Sequence, residues 1–258
     1  MVLPSDLSGA PYPGAPLTYV EAQRAGVALR AQRWGLVDVA VSILLALIVP
    51  LLVLGTAIAV GAPVDGAVVL LGSATLPWVG FGLWPWLTTR IQGNGAKLDL
   101  GYTVRRIDLA WGLGGGLACL VLGTLVATIT QALVGEFDSA AGAAVVDADV
   151  PRWVVLVFAA CALVGAPLFE ELCFRGLAFA AVAKWAARRG LPGVPWATIV
   201  SAVLFTIIHL EPVRIPVLLT IGLVLSLLRA RTGRVGASVI AHAFNNFWGV
   251  LAILSATA

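Results

Sequence analysis

Two adjacent glutamates, Glu170 and Glu171, interrupt a segment that otherwise reads as membrane: Ala166-Pro167-Leu168-Phe169-Glu170-Glu171-Leu172-Cys173-Phe174-Arg175-Gly176. A charged side chain at the centre of a spanning helix costs roughly 2.5–3.5 kcal/mol on insertion scales, so several on one helix need a reason. Two later apolar segments each carry one histidine, His209 and His242, and the chain has only these two. Asn245 and Asn246 follow His242 at i+3 and i+4, on the same helix face. Peptide hydrolysis needs a base for water and donors where negative charge develops, and carboxylate, imidazole and amide supply both. Their setting in apolar sequence points to hydrolytic chemistry inside a bilayer. Each residue also has a purely structural account. Glu171 and Arg175 are i,i+4 neighbours in the favourable order, and a buried ion pair between them would serve packing. A lone intramembrane histidine can bond a backbone carbonyl. Those accounts leave Glu170, turned ~100° away from Glu171, without a local partner. They also leave Glu170, His209, His242 and Asn246 gathered on three neighbouring segments without a cause.

The elements that must position these residues are membrane helices. Sixty per cent of residues are hydrophobic and 11% charged, which excludes an ordinary soluble globular protein. The length suits one membrane bundle and leaves little for a separate soluble domain. Seven apolar stretches can be marked: Gly35–Val60, Gly66–Thr88, Leu109–Val134, Trp153–Ala183, Trp196–Leu210, Val213–Leu228 and Val235–Leu254. The expected fold is therefore an all-α membrane protein of about seven transmembrane helices. The fifth and sixth stretches are short and divided by Glu211-Pro212, so this hairpin need not cross fully. Pro167 cannot donate to the carbonyl of Leu163, which predicts a kink or local opening just before Glu170.

Basic residues set the orientation. Arg24, Arg30 and Arg33 lie in the N-terminal tail; Arg90, Lys97, Arg105 and Arg106 in the second loop; Lys184, Arg188 and Arg189 in the fourth; Arg229, Arg231 and Arg234 in the sixth. The opposite loops hold Arg152 and Arg214, together with Glu136, Asp138, Asp147 and Asp149. This pattern predicts a cytoplasmic N-terminus and an outside C-terminus. Glu170 lies about 27 Å along its helix from Arg152, towards the cytoplasmic side of a core ~30 Å thick. Trp34, Trp86, Trp111, Trp153, Trp185 and Trp196 fall near predicted span ends, where indole rings favour the headgroup region. Gly112 to Gly116 would permit close helix approach. Met1 to Pro16, rich in Pro, Gly and Ala, reads as a disordered tail, and Leu17 to Arg33 as a short interfacial helix. Cys119, Cys161 and Cys173 all lie in apolar segments without CxxC spacing and read as packed free thiols.

The spacings Glu170-Glu171-x-x-x-Arg175, Phe205-x-x-x-His209 and His242-x-x-x-Asn246 occur in the order seen in the CPBP family, which this chain resembles. That family includes the eukaryotic CaaX prenyl endopeptidases and bacterial Abi or bacteriocin-immunity proteins. The resemblance covers roughly Trp153 to Leu254, with every motif position filled. It implies an intramembrane endopeptidase core of helices around a polar cavity. Glu170 and His209 would activate the hydrolytic water, His242 and Asn246 would stabilise the oxyanion, and Glu171 with Arg175 would support them. A metal-free mechanism is favoured, since no H-E-x-x-H signature is present. The alternative is a zinc ion on Glu170, His209 and His242, a two-His, one-carboxylate set. The expected organisation is a cytoplasmic tail with an interfacial helix over 1–34, three N-terminal helices over 35–134, and the protease core over 152–255. Expected partners are the bilayer and a membrane-associated or lipidated peptide, with no nucleic acid. Two rival functions share the scaffold: a non-catalytic peptide-binding, immunity or maturation protein, and a proton-coupled transporter.

Overall fold

In lipid, a long apolar run satisfies its backbone groups only by forming a helix or closing a barrel. The computed structural model, which describes residues 10–257, takes the helical solution throughout, with no strand among the described residues. After the short α1 (Leu17–Arg24) come α2 (Leu36–Ala59), then α3 (Gly66–Thr75), which continues through a wide π turn at Val79–Leu83 into α4 (Trp84–Gln92). A short α5 (Ala96–Asp99) precedes α6 (Arg106–Val134) and α7 (Ala140–Val146). The next long element is broken into α8 (Arg152–Ala160), α9 (Ala166–Glu171) and α10 (Phe179–Ala187), joined by π turns at Cys161–Gly165 and Leu172–Ala178. The chain finishes with α11 (Gly193–Ile208), α12 (Ile215–Thr232) and α13 (Gly236–Ala256). Six of these helical stretches are long and apolar enough to cross a membrane, and Gly193–Ile208 is a shorter seventh. The protein is a multi-pass integral membrane protein.

The seven expected stretches are all present, with ends displaced by a few residues. One displacement changes how depth is judged. The helix carrying Glu170 runs from Arg152 to Ala187, 36 residues, rather than stopping at Ala183. At 1.5 Å per residue it is about 54 Å long and overruns the ~30 Å hydrocarbon core. Distance from Arg152 therefore does not measure depth, and it gives no ground for placing Glu170 towards the cytoplasmic side. By contrast α11, with 16 residues, spans only about 24 Å and falls short of the core thickness. It ends beside Leu210, whose φ of 55° makes it the one non-glycine residue in the left-handed region among those described.

Small residues bring the helices together. A Cβ on Gly112 would strike Ile240, one on Gly115 would strike Leu228, and one on Gly116 would strike Phe244, so α6 lies directly against α12 and α13. The basic loops gather at one end of the bundle. There Asp99 accepts from the Trp34 indole at 2.9 Å, Lys184 Nζ donates to the Trp34 carbonyl at 2.8 Å, and Arg234 is paired with buried Asp108. Trp34 is accordingly buried, not placed in an interfacial belt, because its N–H has an internal acceptor. Trp86, Trp153 and Trp196 are exposed as expected.

The N-terminal tail also departs from expectation. Residues 1–9 lie outside the described residues, but from residue 10 onward the chain is packed. Tyr12 and Ala15 are buried against Phe179, Val182, Ala183 and Ala197, and Leu17 N–H donates to the Gly233 carbonyl at 3.0 Å. Proline and glycine here set a turned strap, with Ala15 N–H bonded to the Tyr12 carbonyl at 3.1 Å and Gly14 at φ +86° against Val194, instead of a disordered tail. Burial pushes the Tyr12 hydroxyl above its ordinary range, so it remains protonated.

Candidate active site

The break in the long helix is where the polar residues sit. Pro167 has no N–H to give, and the backbone widens into the π turn Cys161–Gly165 immediately before it. A second π turn follows at Leu172–Ala178. Between them, α9 is a six-residue segment that presents Glu170 and Glu171 in different directions.

Glu171 points into the protein. It and Arg175 are fully buried, and its Oε1 accepts from Arg175 Nη1 at 2.7 Å. The same oxygen lies 3.0 Å from His242 Nδ1. Arg175 also donates through Nη2 to the Gly222 carbonyl at 3.0 Å and lies over the Phe205 ring, 4.5 Å from its centroid. Charges removed from water in this way are tolerated only when paired and hydrogen-bonded. The bond to His242 links residues 71 positions apart, and nothing in the local sequence signals it.

Glu170 points the other way. Its Oε2 is buried and makes no hydrogen bond to another described residue. It lines a cavity of about 530 Å³ that also takes in His209, His242, Asn245 and Asn246. His209 sits just past the end of α11, with Nδ1 at 2.7 Å from the Phe205 carbonyl. A carbonyl can only accept, so Nδ1 carries the proton and a neutral His209 presents Nε2 as an acceptor. Phe205 spaces the two imidazoles, with ring centroids 4.6 Å from His209 and 5.7 Å from His242. Asn246 Nδ2 donates to the Ala162 carbonyl at 3.0 Å, a carbonyl of the first π turn. One of its two amide hydrogens is thus used to hold the side chain in place, and the other is left over.

The four sequence-predicted site residues therefore line one cavity, while Glu171 and Arg175 lie behind it. Other cavity residues went unrecognised in the sequence. Glu211 and Arg214, paired at 2.8 Å in the hairpin tip, were visible as charges in an apolar stretch. The wall formed by Ser139–Gly142 carried no signal, since small residues in a loop have many uses. The alternative zinc set, Glu170, His209 and His242, lines the same cavity. Among the described residues, no group of three or more His, Cys, Asp or Glu is arranged to hold a metal ion. Glu170, His209 and His242 share a cavity but do not form a coordination cluster.

The helical bundle thus brings carboxylate, imidazole and amide groups to the wall of one cavity among apolar membrane helices. Residues 151–248 match the family of Rce1-like proteins, described as type II CAAX prenyl endopeptidase Rce1-like. This stretch contains Glu170, Glu171, Arg175, His209, His242 and Asn246, so the chain carries an Rce1-like domain and is a protease. No curated protein matches the chain, and no solved structure does.

Proposed function

We propose that this protein is an intramembrane endopeptidase in which Glu170 and His209 activate water and His242 and Asn246 stabilise the oxyanion. The observation that carries this reading is the division of labour between the adjacent glutamates. Both glutamates have an Oε2 without a hydrogen-bond partner among the described residues, but Glu171 commits Oε1 to Arg175 and His242 behind the cavity, whereas Glu170 alone of the two lines it. Glu170 is the base. Water, oriented by Nε2 of His209, gives its proton to the Glu170 carboxylate as its oxygen attacks the scissile carbonyl carbon. The carbonyl electrons move onto oxygen, where His242 and Asn246 donate hydrogen bonds. Collapse re-forms the carbonyl and breaks the C–N bond, and Glu170 returns the proton to the leaving amine. The products are a carboxylic acid and an amine.

This role places a condition on His242. Its Nδ1–H is committed to Glu171, so Nε2 can donate to an oxyanion only when the ring is cationic. Glu170, Glu171, Arg175 and His242 would then form two negative and two positive charges, a neutral set that low dielectric tolerates. The zinc alternative would need His242 neutral, with Nε2 as ligand. Because the candidate ligands do not cluster, no step is assigned to a metal.

The protease core is assigned to residues 152–255, with 35–134 supplying three further helices and 1–34 the cytoplasmic N-terminal segment. Clustering of the basic loops at one bundle end favours that end as cytoplasmic. The substrate class is a membrane-associated peptide, and a lipidated or prenylated one falls within it. The test compares wild type with Glu170→Gln by terminal mass spectrometry of membrane peptides. New peptide termini should disappear in a variant that still folds, because replacing this carboxylate by an amide breaks no bond from Oε2 to another protein group. Near-normal cleavage by folded Glu170→Gln would overturn the mechanism. Exhaustive chelation should leave cleavage intact, and stoichiometric zinc that tracks activity would replace this mechanism by a metal-dependent one.

A further inference from the structure

The catalytic cavity is asymmetric along the bundle. Its inner part holds Glu170, His209, His242 and Asn246, and its other lining residues lead away from the basic loops. They include Ser139 and Gly142 at the start of α7, Glu211 and Arg214 at the hairpin tip, and Ile253 near the end of α13. None comes from the segments 10–35, 84–106, 179–197 or 229–236 that build the basic end. The way towards that end is closed. Cys173, Phe174, Leu177 and Leu225 are fully buried, as are Glu171 and Arg175. Arg229 Nε donates to the Arg175 carbonyl at 3.1 Å, sealing the next layer. The strap from Tyr12 to Leu17 covers the outside. The short reach of α11 fits this shape: where that helix stops at Ile208, space remains for the cavity at the opposite end.

We propose that the substrate enters from the non-cytoplasmic face, as a membrane-anchored peptide whose apolar segment threads down past α7, which is tied to the α11–α12 tip by the bond from Ala140 N–H to Glu211 Oε2 at 3.2 Å. This rests on the catalytic reading and on the orientation given above. Entry from that face is not the geometry for a lipidated C-terminus displayed in the cytoplasm. The cavity's walls include Trp78, Phe81, Phe158 and Leu218, which suit an apolar segment, and about 530 Å³ admits a few residues but no folded domain. Asn246 lies about 15 Å along α13 from Ala256. An extended chain covers that in roughly four to five residues, so the cut falls about that far inside the non-cytoplasmic end of the substrate's span.

Cys161 is a native probe, because it lines this cavity while Cys119 and Cys173 are fully buried. A small membrane-impermeant thiol reagent is applied to right-side-out and inside-out vesicles containing the full chain. Cys161 should label in right-side-out vesicles only, and Cys161→Ser should lose the signal. A Ser139→Cys variant reports orientation separately. If Ser139→Cys labels from outside but Cys161 labels only from the cytoplasmic face, or from neither, the entry route is overturned and the orientation stands. If Ser139→Cys labels only from the cytoplasmic face, the proposal falls with the orientation, while the Glu170→Gln comparison still tests catalysis by itself. In that comparison, lost termini should map to the non-cytoplasmic ends of spans. Termini lost only from cytoplasmic tails would also overturn the proposal.

Discussion

Glu170 and Glu171 are chemically identical neighbours, yet their environments assign them different fates under the same substitution. Glu171→Gln removes the anion that holds both Arg175 and His242. Breaking one partner out of a buried pair costs about 3–5 kcal/mol, because the other charge stays buried without compensation. Expression level and thermal stability of Glu171→Gln should therefore fall together with activity, whereas Glu170→Gln should lose activity alone. Thermal melts of both purified variants in detergent check this difference. Asn246→Ala should lower kcat by roughly 10²–10³ with KM little changed, as expected when one transition-state donor is lost. Single-substrate kinetics decide it, and a change confined to KM would move Asn246 from the oxyanion to ground-state binding. The identities of these residues were legible in the sequence because ionisable groups in apolar segments stand out by their cost. Their partnerships were legible only within a helix turn. The i,i+4 pair Glu171–Arg175 could be read directly, but the Glu171–His242 bond depends on how α9 and α13 pack.

At the scale of elements, proline and glycine carry most of the information. Pro167 announced an opening before Glu170, and the π turn at Cys161–Gly165 is that opening. It also supplies the Ala162 carbonyl that seats Asn246, a use that no spacing rule foretells. The Gly112–Gly116 run predicted close approach, and its partners are α12 and α13. Within that run the faces differ. A Cβ on Gly116 meets Phe244, two residues from His242 and Asn246, whereas one on Gly114 meets nothing within 4 Å. Gly116→Leu should thus destabilise by about 1–3 kcal/mol through overpacking and impair cleavage as α13 shifts. Gly114→Leu should be tolerated. Parallel measurement of folded yield and turnover for the two variants tests the packing, and equal effects would refute it. Helix ends were less legible than helices. The Arg152–Ala187 stretch leaves the bilayer core without a compositional break, since Ala180, Ala181 and Ala183 read the same in lipid as in protein.

For the whole molecule, the distribution of Lys and Arg predicts that a reporter active only in the cytoplasm works when fused to the N-terminus and fails at the C-terminus. The reverse result would invert the bundle. The strap that covers the basic end was the part least legible in the sequence. Pro, Gly and Ala carry the same composition whether a segment is loose or laid against a surface, and only the tertiary surface decides between them. Its position has a temporal consequence. The surfaces that receive Tyr12, Ala15 and Leu17 are made by α10, α11 and the α12–α13 turn at Gly233. During synthesis the strap leaves the ribosome before α10, α11 and α12, so its berth is complete only after all three have followed. The strap therefore waits for its berth, and the bundle is latched by a segment made before the surfaces that hold it.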